Sequence, residues 1–175
     1  MNVSSVSFIA EYIKTGMPLI KKRVTVDGSA VKNPSNVEVL IGTQLKDVFE
    51  FCGGFNCVVH KVLMGGPMMG IAQHSLNTPV MKYTNALLAF GRKEAIIGEE
   101  GPCIRCGRCV NACPMNLMPL YINLHALKEN IDELEKYNPN NCMECGSCSY
   151  VCPANRRLVQ SIRLAKSQIK KAAAK

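Results

Sequence analysis

Apolar and polar positions change period several times along this chain, and each change predicts an element. Val6, Ile9, Ala10 and Ile13 recur at helical spacing between Val3 and Thr15. Ser4 or Ser5 is placed to cap that helix, and Gly16 and Pro18 end it. Arg23-Val24-Thr25-Val26 alternates as a strand, Asp27-Gly28 reads as a hairpin-type turn, and Val37 to Ile41 reads as a second strand after Asn33-Pro34-Ser35-Asn36. Thr43 is a candidate cap for a short helix to Phe51 with Leu45, Val48 and Phe49 turned inward; Cys52-Gly53-Gly54 stops it. Val58 to Met64 reads as a further strand, and Pro79 to Phe90 as one more strand or an extended arm. The order strand, strand, helix, strand predicts a small β-grasp-like unit over 19–72. An N-terminal helix over 1–18 precedes it, and an arm and linker over 73–101 follow.

Beyond that linker the period becomes helical again. Leu120, Leu124, Leu127, Ile131 and Leu134 predict one amphipathic helix from Pro119 to Tyr137, with Glu129, Asp132, Glu133 and Glu135 on its outer side. Leu158, Ile162, Ala165 and Ile169 mark a last helix, and the Lys-Ala tail is expected to fray. The fold class is therefore α+β, with a mainly helical unit at 102–175.

Cysteine placement changes the picture most. Cys103-x2-Cys106-x2-Cys109-x3-Cys113-Pro114 is followed by Cys142-x2-Cys145-x2-Cys148-x3-Cys152-Pro153. This run, twice over, is that of bacterial two-cluster ferredoxins. Three thiolates three residues apart in a tight loop reach three irons of one cube, and the fourth cysteine, past the turn, suits the cube of the other loop. The spacing thus predicts two [4Fe–4S] clusters, one on Cys103, Cys106, Cys109 and Cys152 and one on Cys142, Cys145, Cys148 and Cys113. Gly107 and Gly146 let backbone N–H groups approach the sulfurs, and Pro114 and Pro153 suit the first turn of a following helix. The rival chemistries are structural zinc, for which a third cysteine at the next step is surplus, and a disulfide scaffold, which belongs to secreted chains; no signal peptide opens this sequence, and a reducing cytosolic setting is expected.

The formal charge of +8 gathers partly at Arg156, Arg157, Arg163, Lys166, Lys170, Lys171 and Lys175. Such a stretch suits nucleic acid, anionic lipid, an acidic protein or simply a solvated helix face. The absence of Trp and an aromatic content of 6% leave no evident stacking platform, so nucleic acid is not an expected partner. No apolar run approaches the ~20 residues of a membrane span. Gly65-Gly66-Pro67-Met68-Met69-Gly70 lacks the P-loop ending and reads as a tight turn whose methionines pack on a neighbouring surface. Cys52 and Cys57 read as buried or incidental thiols, and His60, His74 and His125 as structural. Ile104, Val110, Leu117 and Val151 are expected to shield the clusters from water, while Arg105 and Arg108 would raise a cluster's potential, face a partner or lie in solvent.

These motifs, together with Pro18-Leu19 and Leu158-Val159-Gln160-x-Ile162-Arg163-Leu164-Ala165-Lys166, resemble the RnfC family, a component of the Rnf complex, which is an ion-pumping NAD:ferredoxin oxidoreductase of bacterial membranes. The resemblance covers nearly the whole chain. It implies a soluble-ligand-binding β-grasp (SLBB) domain from about Leu19 to Ile71, a two-cluster ferredoxin-type domain, and peripheral association with other Rnf-type subunits on the cytoplasmic face of the membrane. It also implies that FMN and NADH belong to an upstream domain outside this stretch. The expected role is electron transfer. The alternatives are an iron–sulfur component of a soluble flavin or corrinoid reductase, and a docking module with structural clusters.

Overall fold

Strand alternation organises the first half of the computed structural model, which describes residues 3–173. In β1 (Lys21–Asp27) Val24 and Val26 are buried while Lys21, Arg23 and Thr25 face solvent. β2 (Ser35–Leu40) pairs antiparallel with it, from Lys21 opposite Leu40 to Val26 opposite Ser35. β3 (Lys61–Met64) and β4 (Ile71–Gln73) form an antiparallel hairpin closed by the Gly65–Gly70 turn. β5 (Ala86–Phe90) runs parallel to β1 and antiparallel to β3, giving the order β2-β1-β5-β3-β4. The stretch 73–101, expected as arm and linker, therefore supplies the central strand of the sheet. Leu87 and Ala89 in β5 are fully buried, as suits an apolar run flanked by strands on both sides.

α2 (Leu45–Phe51) lays Leu45, Val48 and Phe49 on this sheet against Val24, Val26, Val62, Met64, Val80 and Leu87. Burying each large apolar side chain contributes about 1.5–3 kcal/mol. Its cap is Gln44 rather than Thr43, and no side chain caps it. Instead the Leu45 and Lys46 N–H groups donate to the carbonyls of Thr78 and Leu76, so the neighbouring backbone satisfies the helix start. The link after β1 is not a tight hairpin but a longer excursion from Gly28 to Pro34. Gly28 has φ +118°, and a Cβ there would lie 2.2 Å from the Ala89 carbonyl oxygen, so only glycine allows this approach. α1 (Val3–Thr15) forms as expected and ends at Gly16, but none of its residues is buried. α3 (Arg92–Ala95) is a single turn near the end of the first compact unit, which closes at Ile96.

The second unit, from Ile97, consists of short helices. They are α4 (Arg108–Asn111), α5 (Pro119–Leu127), α6 (Ile131–Lys136), a 3-10 turn (Pro139–Asn141), α7 (Ser147–Tyr150) and α8 (Leu158–Ala173). The single helix expected from Pro119 to Tyr137 is broken in two. Glu129 turns left-handed, and the Asn130 side chain accepts the Glu133 N–H at 3.2 Å to start α6 afresh. The buried face also differs from the expected stripe: Ile122, Asn123, Ala126 and Leu134 are inside while Leu124 and Leu127 are exposed. Pro114 and Pro153 lie in turns, and Pro119 takes the first-turn position of α5. α8 buries Leu158, Ile162 and Ala165 as its period demands. Residues 174–175, part of the tail expected to fray, lie outside the described residues. Among those described, no helix is long and apolar enough to cross a membrane.

Candidate metal centre

Both cysteine loops fold by the same backbone device. Arg105 (φ +54°) and Gly107 (φ +76°) in the first match Glu144 (φ +56°) and Gly146 (φ +87°) in the second. Left-handed residues alternating with ordinary ones curl a loop so that its N–H groups turn inward. Gly107 and Gly146 then start α4 and α7, which carry the buried third cysteines, Cys109 and Cys148. Asn116 (φ +51°) and Asn155 (φ +50°) close the turns after the fourth cysteines. The offset that carries Cys103 onto Cys142 thus carries every one of these features onto its counterpart. Backbone donors already reach sulfur: Leu117 N–H to Cys113 Sγ and Glu144 N–H to Cys142 Sγ, each at 3.3 Å.

Two recesses result. One, with about 320 Å³ of empty space including its open mouth, is lined by Cys142, Cys145 and Cys148 together with Cys113. The other, about 370 Å³, is lined by Cys103, Cys106 and Cys109 together with Cys152. Among the described residues no three Cys, His, Asp or Glu side chains gather closely enough to hold one metal ion. Four thiols border each recess, which is the donor set of a [4Fe–4S] group, so the residues fit an iron–sulfur group. All ten cysteines are free thiols, so no disulfide scaffold forms.

The thiols are held differently. Burial pushes Cys148 up to about 11 and also raises Cys109, and ligation by either thiol requires loss of its proton. Cys145 lies below the ordinary thiol range because the Ser147 hydroxyl, 3.5 Å from its sulfur, and the Ser147 backbone both favour the thiolate. Leu117 is 8% exposed and lines the first recess, as a water-excluding residue should. Ile104, expected to do the same, is 65% exposed although it borders the second, because its loop lies at the surface.

Charge distinguishes the recesses further. The first has no charged lining residue, and nearby Glu144 is engaged by Arg163 at 2.7 Å and Lys166 at 2.8 Å. Burial pushes the Glu144 carboxyl up, but the hydrogen bonds from Lys166 and Arg163 outweigh it and hold the group below the ordinary range. Arg105, Arg108 and Arg156 line the second recess. Arg156 donates to Asn123 Oδ1 at 2.8 Å, Asn123 donates in turn to Ser161 Oγ at 2.6 Å, and Arg156 Nε lies 3.2 Å from Glu100. Sequence reading missed Arg156 and Asn123 as parts of the site; aligning the two halves at their common offset would have exposed Arg156, which stands where the other half has Leu117.

Other singled-out residues lie elsewhere. Cys52 is buried under β2, 3.4 Å from Ser35 Oγ, and Cys57 is exposed. His125 stacks on Tyr137 at 5.6 Å, a structural role. Met68 and Met69 at the hairpin tip are about half exposed rather than packed.

Residues 23–72 match the family model of the SLBB domain, and residues 102–156 that of the 4Fe-4S dicluster domain. β5, central to the sheet, falls outside both stretches. The chain is 46% identical over 168 residues to the C subunit of the proton-translocating ferredoxin:NAD(+) oxidoreductase complex of Clostridium ljungdahlii, covering 95% of this chain and 37% of that protein. It is 47% identical over 169 residues to the C subunit of the Na(+)-translocating ferredoxin:NAD(+) oxidoreductase complex of Acetobacterium woodii, covering 97% and 38%. The C subunit of the ion-translocating oxidoreductase complex of Rhodobacter capsulatus is 42% identical over 168 residues, covering 96% and 32%. The chain therefore spans between 32% and 38% of the length of these relatives.

Proposed function

This chain belongs to the RnfC family, the C subunits of ion-translocating oxidoreductase complexes, and from that premise we propose that it carries single electrons between bound redox groups. Cys103, Cys106, Cys109 and Cys152 hold one [4Fe–4S] cluster, and Cys142, Cys145, Cys148 and Cys113 hold the other. Bound there, such clusters take up and give up one electron at a time. The chain's own residues supply the rest. The thiolates ligate, the inward N–H groups of the loops donate to sulfur, and Leu117, Val159 and Ile162 keep water from the first recess.

The observation that carries this reading is the sharing of cysteines: each recess draws three from one loop and the fourth from the other. The partners are the other subunits of an Rnf-type complex and a domain that binds NADH and FMN. The chain sits peripherally on the cytoplasmic face of the membrane. Anaerobic reconstitution with iron and sulfide tests the reading. It should load roughly eight irons per chain and give a broad visible absorbance that dithionite bleaches. Loading of four irons or fewer, or an absorbance indifferent to reductant, would overturn it.

A further inference from the structure

The two halves of the second unit share a backbone but not the side chains around their recesses. At the offset that superimposes the cysteines, Met115 corresponds to Ala154, Leu117 to Arg156, Glu144 to Arg105 and Ser147 to Arg108. Each of these differences removes bulk or adds positive charge on the side of the second recess. Arg105 and Arg108 are exposed, so water and salt screen them. Arg156 is not: its side chain is only 19% exposed. Its guanidinium donates to Asn123 Oδ1 at 2.8 Å and to the Gly101 carbonyl at 3.4 Å, while its Nε, buried without a hydrogen-bond partner, lies 3.2 Å from Glu100. Asn123 is itself buried and held by Ser161, so the acceptor of this guanidinium is fixed by a second hydrogen bond. Arg156 borders the recess, whereas Glu100 lies outside its lining.

We propose that Arg156 is a potential-setting residue, which makes the group held by Cys103, Cys106, Cys109 and Cys152 the easier of the two to reduce. The inference rests on the cluster reading above and adds an order to it. Reduction adds one electron and one unit of negative charge, with no bond made or broken. A fixed, partly buried cation stabilises the reduced form more than the oxidised form. The first recess has Leu117 at the equivalent position and lacks this stabilisation. Glu144, Arg163 and Lys166 lie outside the lining of that recess, whereas Arg156 borders the second. Arg156 is a positioning residue in the electrostatic sense: it ligates nothing.

The test is a redox titration of the reconstituted 175-residue chain, followed by electron paramagnetic resonance. The unaltered chain should show two one-electron waves. Arg156→Leu, which installs the residue of the other half, should move the higher wave to more negative potential. At fixed potential the reduced-to-oxidised ratio there should fall about tenfold, equivalent to ~59 mV for one electron. The lower wave should stay in place. Glu100→Gln removes the opposing charge and should move the same wave in the opposite direction, while Arg156→Lys should retain most of the original value. Both waves unmoved in Arg156→Leu, or both displaced together, would overturn the inference and leave the cluster reading standing. If Arg156→Leu fails to load iron, Glu100→Gln decides the matter, and an unmoved wave there overturns the inference. An unaltered chain that holds no iron would overturn the cluster reading as well.

Discussion

The two compact units solve the problem of a core in opposite ways. The first closes an apolar interior of its own: Phe49, Leu45, Leu87, Val24 and Val26 are fully buried between one helix and a five-stranded sheet. The second has two helices of only four residues, α4 and α7, far too short to persist without support. Its buried cluster counts Cys109 and Cys148 among its members and has Cys113, Cys142 and Cys152 packed against it, and all of these cysteines also line the recesses. An interior built around sulfur is complete only when something occupies the space between the sulfurs. The first unit therefore depends on burial, and on the proposed cluster reading the second depends on ligation beside its own buried apolar residues.

Stripping iron is the strongest way to break this contrast. Chelation of reconstituted protein should abolish the cooperative unfolding of the second unit and leave that of the first unchanged, as read by circular dichroism and hydrogen exchange; a second unit that keeps its protection without iron would end the distinction. Phe49→Ala approaches from the other side. It should cost the first unit about 3–5 kcal/mol while iron content stays constant, and loss of iron in that variant would show that the units do not stand independently. The smallest expected effect refines the picture inside the second unit. Asn130→Ala removes the cap of α6 and should cost about 1 kcal/mol in the iron-free chain. In the loaded protein it should be masked, because ligation rather than helix capping limits unfolding there. A cost of equal size with iron present would show that helix formation matters as much as ligation.

How far the sequence foretold this structure depends on whether a feature is local. Leu45, Val48 and Phe49 face inward as expected because helical spacing is decided within two turns. The left-handed loops follow the Gly107 and Gly146 positions, a local demand of the same kind. β5 is harder to read, since Ala86-Leu87-Leu88-Ala89-Phe90 is an apolar run without alternation, and only its neighbours β1 and β3 make it a central strand. The break between α5 and α6 was hidden for another reason. The apolar period continues through Glu129-Asn130, and a single left-handed residue with a capping side chain stops the helix without interrupting the pattern. Around the recesses, cysteine spacing was sufficient to group the sulfurs. Arg156 is not legible from cysteine spacing, because it borders the same recess as Cys103 from far along the chain, and only comparison of the two halves at their common offset singles it out.

Each recess takes its fourth sulfur from the opposite loop, and this makes the two halves mutual hostages. Damage at Cys113 would be felt where Cys142 lies, and damage at Cys152 where Cys103 lies. On the proposed cluster reading neither half could be excised, transplanted or repaired by itself, although the side chains around the sulfurs are free to drift apart.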